Sequence, residues 1–166
     1  AYVNPAGSVL EKFYKTGYNR DEGCSEGDWL RLNLLLWADT GATKYLDMAE
    51  RLYWNGILPN QWNTGGFGHR FMAFDDKGPY AYLKHSQESL WCCTFHLVWA
   101  LHELESYMAV GSPTGIWYNF PMIFATTVNV NGEGWMVNSG RTENNNPNVL
   151  RVTIEISGTA DKPVTP

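Results

Sequence analysis

The sequence predicts an α+β chain, with helices and loops over the first two-thirds and antiparallel strands over the last third. Three observations predict it. Before Gly111, apolar residues recur at helical spacing in three separate runs. Beyond Gly111 they fall into short β-branched or aromatic runs separated by Gly and Asn turns. The 166 residues are 44% apolar and include eight Trp, nine Tyr and seven Phe, enough for a core and too many for a disordered chain. The change of texture divides the chain into residues 1–111 and 112–166.

Taken in order, Ser25 with Asp28 three residues later reads as a capping box that opens the first helix. In that helix Trp29, Leu30, Leu32, Leu34, Leu35, Leu36 and Trp37 cover nearly the whole circumference. A helix apolar all round is expected to be buried in a larger helical assembly. Gly41 is its C-terminal cap. A second helix begins at Thr43, carries Leu46, Ala49, Leu52, Tyr53 and Ile57 on one face, and stops at Pro59. Residues 60–79, rich in Gly, Asn and Asp, read as a long functional loop. A third helix starts near Thr94 with Leu97, Val98, Leu101, Leu104 and Met108, which places Cys92 and Cys93 just before its N-terminus. Strands are expected at 117–120, 123–130 and 149–156, where Leu150, Val152, Ile154 and Ile156 alternate with Arg151, Thr153 and Glu155. Residues 143–147 read as a polar turn. Three helices and a few strands cannot cover their own apolar surface, so the chain is expected to be part of a longer protein.

Charge and cysteine content narrow the function. The net charge is −5 and the 12 Lys and Arg residues are scattered singly, which argues against a nucleic-acid or anionic-membrane surface. No apolar run approaches the ~18 residues of a membrane span. The first residues show neither a basic n-region nor an apolar h-region, so a soluble chain without a signal peptide is expected. Three cysteines fit a disulfide framework poorly, and the adjacent Cys92 and Cys93 are badly placed to bridge each other. Free thiols, a metal site or a reactive thiolate remain. Glu22, Cys24, Cys92 and Cys93 make a Cys₃Glu donor set of the kind Zn²⁺ accepts. Against that stands the fact that unreactive cysteines are among the most buried residues. At a helix N-terminus beside a cation, a thiol would ionise readily and could serve as a nucleophile. A retaining glycosidase pairs such a nucleophile with a proton donor about 5–5.5 Å away, and Glu11, Glu22 and Glu88 are the carboxylates available for that role.

The run Glu22-Gly23-Cys24, then Lys44-Tyr45-Leu46-Asp47-Met48-Ala49-Glu50-Arg51-Leu52-Tyr53-Trp54-Asn55-Gly56, then Trp91-Cys92-Cys93, resembles glycoside hydrolase family 127 in content and order. The likeness covers roughly residues 7–110. It implies a retaining, β-L-arabinofuranosidase-like activity, with residues 1–111 forming part of an (α/α)₆ barrel and residues 112–166 the start of an antiparallel β-sandwich. It further implies a zinc ion on Glu22, Cys24, Cys92 and Cys93, with Cys92 as nucleophile. Glu11, followed two positions later by Phe13, matches the acid/base. The implied partners are an arabinose-containing plant or microbial glycan and the remainder of a longer chain, with no nucleic acid and no membrane. Held by one wall of a barrel, such a site is expected to be inactive in isolation.

Sugar contacts are expected from His69 and Arg70 in the Gly-rich loop, from Trp62, and from His96, which shares a helix face with both adjacent thiols. The plainer alternatives are a hydrogen-bonded helix histidine at His96, core packing for Trp29, Trp37 and Trp99, and a solvated face for Glu103 and Glu105. His85 and His102 carry no motif and read as ordinary surface or packing residues. Two other functions compete with the hydrolase. One is a non-catalytic carbohydrate-binding or scaffolding protein with a structural zinc; the other is an interaction module whose thiols are simply buried.

Overall fold

Backbone amides at the start of a helix lack intrahelical partners, and in this chain the Glu22 carboxylate supplies them. Its Oε2 accepts from the Ser25 amide at 2.6 Å and its Oε1 from the Cys24 amide at 3.3 Å. Helix α1 therefore spans Gly23–Thr40 with Glu22 as N-cap. That is earlier than the predicted Ser25–Asp28 box, and Ser25 instead donates its hydroxyl to the same carboxylate. Gly41, in the left-handed region at φ 67°, closes the helix by donating to the Trp37 carbonyl at 2.7 Å. The computed structural model that shows this describes residues 3, 7–9, 21–73, 81–87, 91–142 and 151–158. They form an α+β chain in two compact units, Ala1–Leu104 and Glu105–Pro166.

In the first unit α2 spans Lys44–Leu52 and presses Ala49 and Leu52 into the core. Pro59 does not stop the helical path as expected. The turns widen to a π-helical segment at Tyr53–Ile57, and a last short turn, α3, spans Leu58–Asn60 with Pro59 inside it. Proline normally clashes with the carbonyl four residues back and cannot donate to it. Pro59 stands in the first turn of α3, where proline is tolerated, and the path ends one residue later, at Asn60. The expected long loop is also shorter, because β1 (His69–Ala73) pairs antiparallel with β2 (Ala81–Gln87). Helix α4 spans Trp91–Met108, so Cys92 and Cys93 lie in its first turn rather than before it.

Leu30, Leu34, Leu97, Ala100 and Leu104 are buried between these elements. The all-round burial expected of α1 is not met among the described residues, since Leu32 and Leu35 are 45% and 50% exposed. Trp99 is likewise 55% exposed instead of in the core. The Arg31 guanidinium lies 3.9 Å above the Trp99 ring and its Nε donates to Glu103 at 2.5 Å. Glu103 is thus an α1–α4 link, not the solvated charge expected of it. At a partly exposed site the cation–π contact contributes roughly 0.5–1 kcal/mol.

The second unit begins with a ribbon of β3 (Ala109–Ser112) and β4 (Gly115–Tyr118). A sheet follows in the order β5 (Phe124–Val130), β6 (Glu133–Thr142), β7 (Arg151–Gly158), antiparallel throughout. Asn131 and Gly132, at φ 55° and 86°, make the two-residue hairpin turn between β5 and β6. Such primed turns match the strand twist and favour Asn-Gly. The core here is Ala109, Val128 and Val137, with Ile116, Phe124, Val130 and Trp135 packed on it. Ser139 is buried on the central strand, donates to the Met122 carbonyl at 2.6 Å and meets the Tyr118 hydroxyl at 2.8 Å. The alternation expected of the last strand does not appear in its burial: Val152 is half-buried, but residues 153–157 are all exposed, Ile154 and Ile156 at 42%. The expected polar turn at 143–147 lies outside the described residues. Among the described residues no helix is long and apolar enough to cross a membrane.

Candidate metal centre

Two helix N-termini converge because glycine lets them. A Cβ at position 23 would stand 2.9 Å from the Cys93 Cβ and 3.1 Å from the Gly68 carbonyl oxygen. One turn later, a Cβ at position 27 would stand 3.0 Å from the His96 carbonyl oxygen. Gly23 and Gly27 share a helix face, and without side chains there the first turn of α4 can lie directly on the α1 backbone. Cys24 on α1 thereby meets Cys92 and Cys93 on α4. All three sulfurs lie within 4.8 Å of one another, with Cys24–Cys93 at 3.8 Å and Cys92–Cys93 at 3.9 Å. Around an ion with metal–sulfur bonds of ~2.3 Å, neighbouring vertices of a tetrahedron are about 3.8 Å apart. The thiols form a group that could hold a metal ion.

Glu22, expected as the fourth donor, is not part of this three-sulfur group but lies beside it. Its Oε1 lies 3.7 Å from the Cys93 sulfur, while its Oε2 caps the helix. Burial raises the Cys24 thiol well above its ordinary value, and the Glu22 carboxylate adds to the shift through a hydrogen bond and its charge. Cys93 is pushed up from 9.0 to about 12, first by burial and then by the charges of Glu22 and Cys92. Without a cation Cys24 and Cys93 therefore keep their protons; a divalent cation would displace them, because it supplies the positive charge that the cluster of donors lacks.

A pH dependence follows for the metal-free chain. The unfolded chain sheds these thiol protons first, so stability is full below pH 9 and declines as pH rises toward about 12. Urea unfolding followed across that interval is expected to show falling midpoints in metal-free protein and a much smaller fall in metal-loaded protein. Equal slopes in the two forms would contradict it.

Several residues that sequence reasoning missed hold the centre in place. Glu26 is fully buried, and a buried carboxylate needs partners. Its Oε1 accepts from the Ser8 hydroxyl at 2.6 Å and its Oε2 from the Asn60 side-chain amide at 3.0 Å. Asn60 in turn accepts from the Gly68 amide at 3.2 Å. Thr94, expected to cap α4, lies inside it and uses its hydroxyl on Phe67, accepting from the amide at 3.0 Å and donating to the carbonyl at 3.3 Å. Residues 67 and 68 are thus pinned to α1 on one side and to α4 beside Cys93 on the other.

The remaining candidates are distributed differently. Glu11 and Glu88 lie outside the described residues. His69 and Arg70 are on β1, in register with Gln87 and His85, not in a loop. Trp62 is half-buried at the head of a tight turn, its amide donating to the Gly66 carbonyl at 2.9 Å. His96 is half-buried, and its Nδ1 has no hydrogen-bond partner among the described residues. Trp29, expected in the core, instead lines a groove of about 300 Å³ with Val3, Val9, Ser25, Asp28 and Leu32. No family model, curated protein or solved structure matches the chain.

Proposed function

We propose that the chain carries the metal–thiolate part of a retaining, zinc-dependent glycoside hydrolase acting on β-L-arabinofuranoside-like sugars. One observation carries the reading: donors 68 positions apart in sequence, Cys24 and Cys92, meet with Cys93 in a single cluster beside Glu22. The Glu22 oxygen stands 3.7 Å from the Cys93 sulfur, against the ~3.6 Å expected between oxygen and sulfur vertices of one tetrahedral zinc site. Glu22, Cys24, Cys92 and Cys93 would hold the ion. When bound, zinc supplies charge that keeps the thiols ionised at neutral pH.

In this reading Cys92, half-buried where Cys93 is fully buried, attacks the anomeric carbon. Glu11 protonates the leaving oxygen and later takes the proton from the water that releases the sugar. His69, Arg70, Trp62 and His96 are the proposed sugar contacts. Glu22, held rigidly by its helix-cap bonds, fixes the position of the thiols rather than moving a proton.

The resemblance implies a longer barrel, so the test uses the native full-length protein. Brief reaction with an activated aryl β-L-arabinofuranoside is expected to leave a glycosyl group on Cys92, detectable by peptide mass spectrometry, and to give product of retained configuration. Inverted product, or turnover unchanged in Cys92→Ser, would exclude Cys92 as nucleophile. The burial of Cys93 and the capping role of Glu22 favour one other reading, a structural zinc in a non-catalytic carbohydrate-binding protein. That reading requires full protection of Cys92 from iodoacetamide in the zinc-loaded protein.

A further inference from the structure

We propose that Cys24 and Cys93 are a redox pair, which a small disulfide oxidises to an intrachain disulfide that leaves Cys92 as the remaining thiol and dismantles the metal centre. The pairing stands on the sulfur geometry alone; the loss of metal rests on the metal-centre reading above.

The choice of partners follows by elimination and by distance. The chain has three cysteines. Cys92 and Cys93 are consecutive in the first turn of α4, and no described peptide bond is cis. Consecutive Cα atoms across a trans peptide are ~3.8 Å apart, closer than the roughly 4.4 Å minimum that disulfides use. While α4 stays helical, any intrachain disulfide must include Cys24. Its sulfur stands 3.8 Å from that of Cys93. The backbones meet at the same point, since a Cβ at Gly23 would stand 2.9 Å from the Cys93 Cβ. Closing the bond requires the two sulfurs to move from 3.8 Å apart to ~2.05 Å. Cys24 and Cys92 are both half-buried, whereas Cys93 is 0% exposed and acts second; of the two accessible thiols, Cys24 is the one whose mixed disulfide Cys93 can resolve, because a Cys92–Cys93 bond is excluded.

With glutathione disulfide as oxidant the exchange balances in two steps. The Cys24 sulfur attacks one sulfur of the small disulfide, whose S–S bond breaks; one glutathione leaves and takes up the Cys24 proton. The Cys93 sulfur then attacks the Cys24 sulfur of the mixed disulfide, and the second glutathione leaves with the Cys93 proton. Two protein thiols are oxidised and one small disulfide is reduced to two thiols. Two of the three thiolate donors are consumed, and a dithiol reductant restores them.

The experiment equilibrates the full chain, zinc-free and zinc-loaded, in glutathione buffers of increasing oxidised fraction. Free thiols, intact mass and zinc released to a chromophoric chelator are read together. Thiols are expected to fall from three to one with the loss of two hydrogens, and tandem mass spectrometry is expected to join Cys24 to Cys93. Cys92→Ser and Cys92→Ala should form the same link, and the zinc-loaded protein should release one zinc per link. Three persisting thiols, glutathione adducts without an internal link, or a dominant Cys24–Cys92 link would overturn the pairing. The link formed in protein that takes up no zinc when loaded would leave the pairing standing and remove the metal reading. Tight zinc without any link would do the reverse.

Discussion

Cys24→Ser is expected to lower zinc affinity by at least about 100-fold, the upper end of what loss of a mere supporting contact around a metal costs. A serine hydroxyl stays protonated at neutral pH and is a poor donor to zinc, so one of three sulfur ligands is lost outright. The fold should survive, because the helix cap at position 24 uses the backbone amide and not the side chain. Competition against a chromophoric chelator measures the change, and circular dichroism checks that α1 and α4 remain. Ser25→Ala is the informative control: it removes a hydroxyl that donates to Glu22 but no sulfur, so its loss of affinity should be far smaller. Stoichiometric, tight zinc in Cys24→Ser would remove Cys24 from the ligand set.

Gly111→Ala is expected to destabilise the second unit by about 3 kcal/mol or more, at the upper end of overpacking costs. A Cβ there would lie 1.9 Å from the Asn129 carbonyl oxygen and 2.7 Å from its carbon. Both atoms belong to the backbone of β5, so no rotamer change relieves the clash. β3 would have to lift from β5, opening the core at Ala109 and Val128. For a unit of this size the loss corresponds to a melting point lower by about 12 °C or more. Gly140→Ala meets nothing within 4 Å and is expected to stay within about 0.5 kcal/mol of the parent. Equal stability of the two variants would show that β3 does not press on β5 as described.

The legible part of the site was its chemistry. Cysteines at 24, 92 and 93 have few uses beyond burial, and the structure brings all three together. Less legible was everything that depends on a distant partner. Glu26 reads in sequence as an ordinary first-turn acid, yet it is buried because Ser8 and Asn60 come to it from other segments. Thr94 looks like a cap until Phe67 arrives to use its hydroxyl. The start of α1 was misplaced because glutamate is not among the preferred N-caps, and its reach to two amides appears only in three dimensions. Strand β6 was missed altogether. Gly134, Asn138, Ser139 and Gly140 dilute its pattern, although it is the central strand and pairs on both sides. The overlooked signal was Asn131-Gly132, which announces a hairpin directly after Val130. Pro59 misled for a local reason, since it falls in the first turn of the short α3, where a proline is tolerated.

The central claim is that Cys24, Cys92 and Cys93 hold one metal ion, and cobalt(II) tests it most directly. Titrated into the zinc-free, reduced chain, cobalt should saturate at one ion per chain with an intense thiolate-to-cobalt charge-transfer band and the visible bands of a tetrahedral ion. Zinc should displace it, and each of Cys24→Ser, Cys92→Ser and Cys93→Ser should weaken the charge-transfer band. Absence of a saturating band, or a spectrum unchanged when all three cysteines are replaced, would contradict the metal centre.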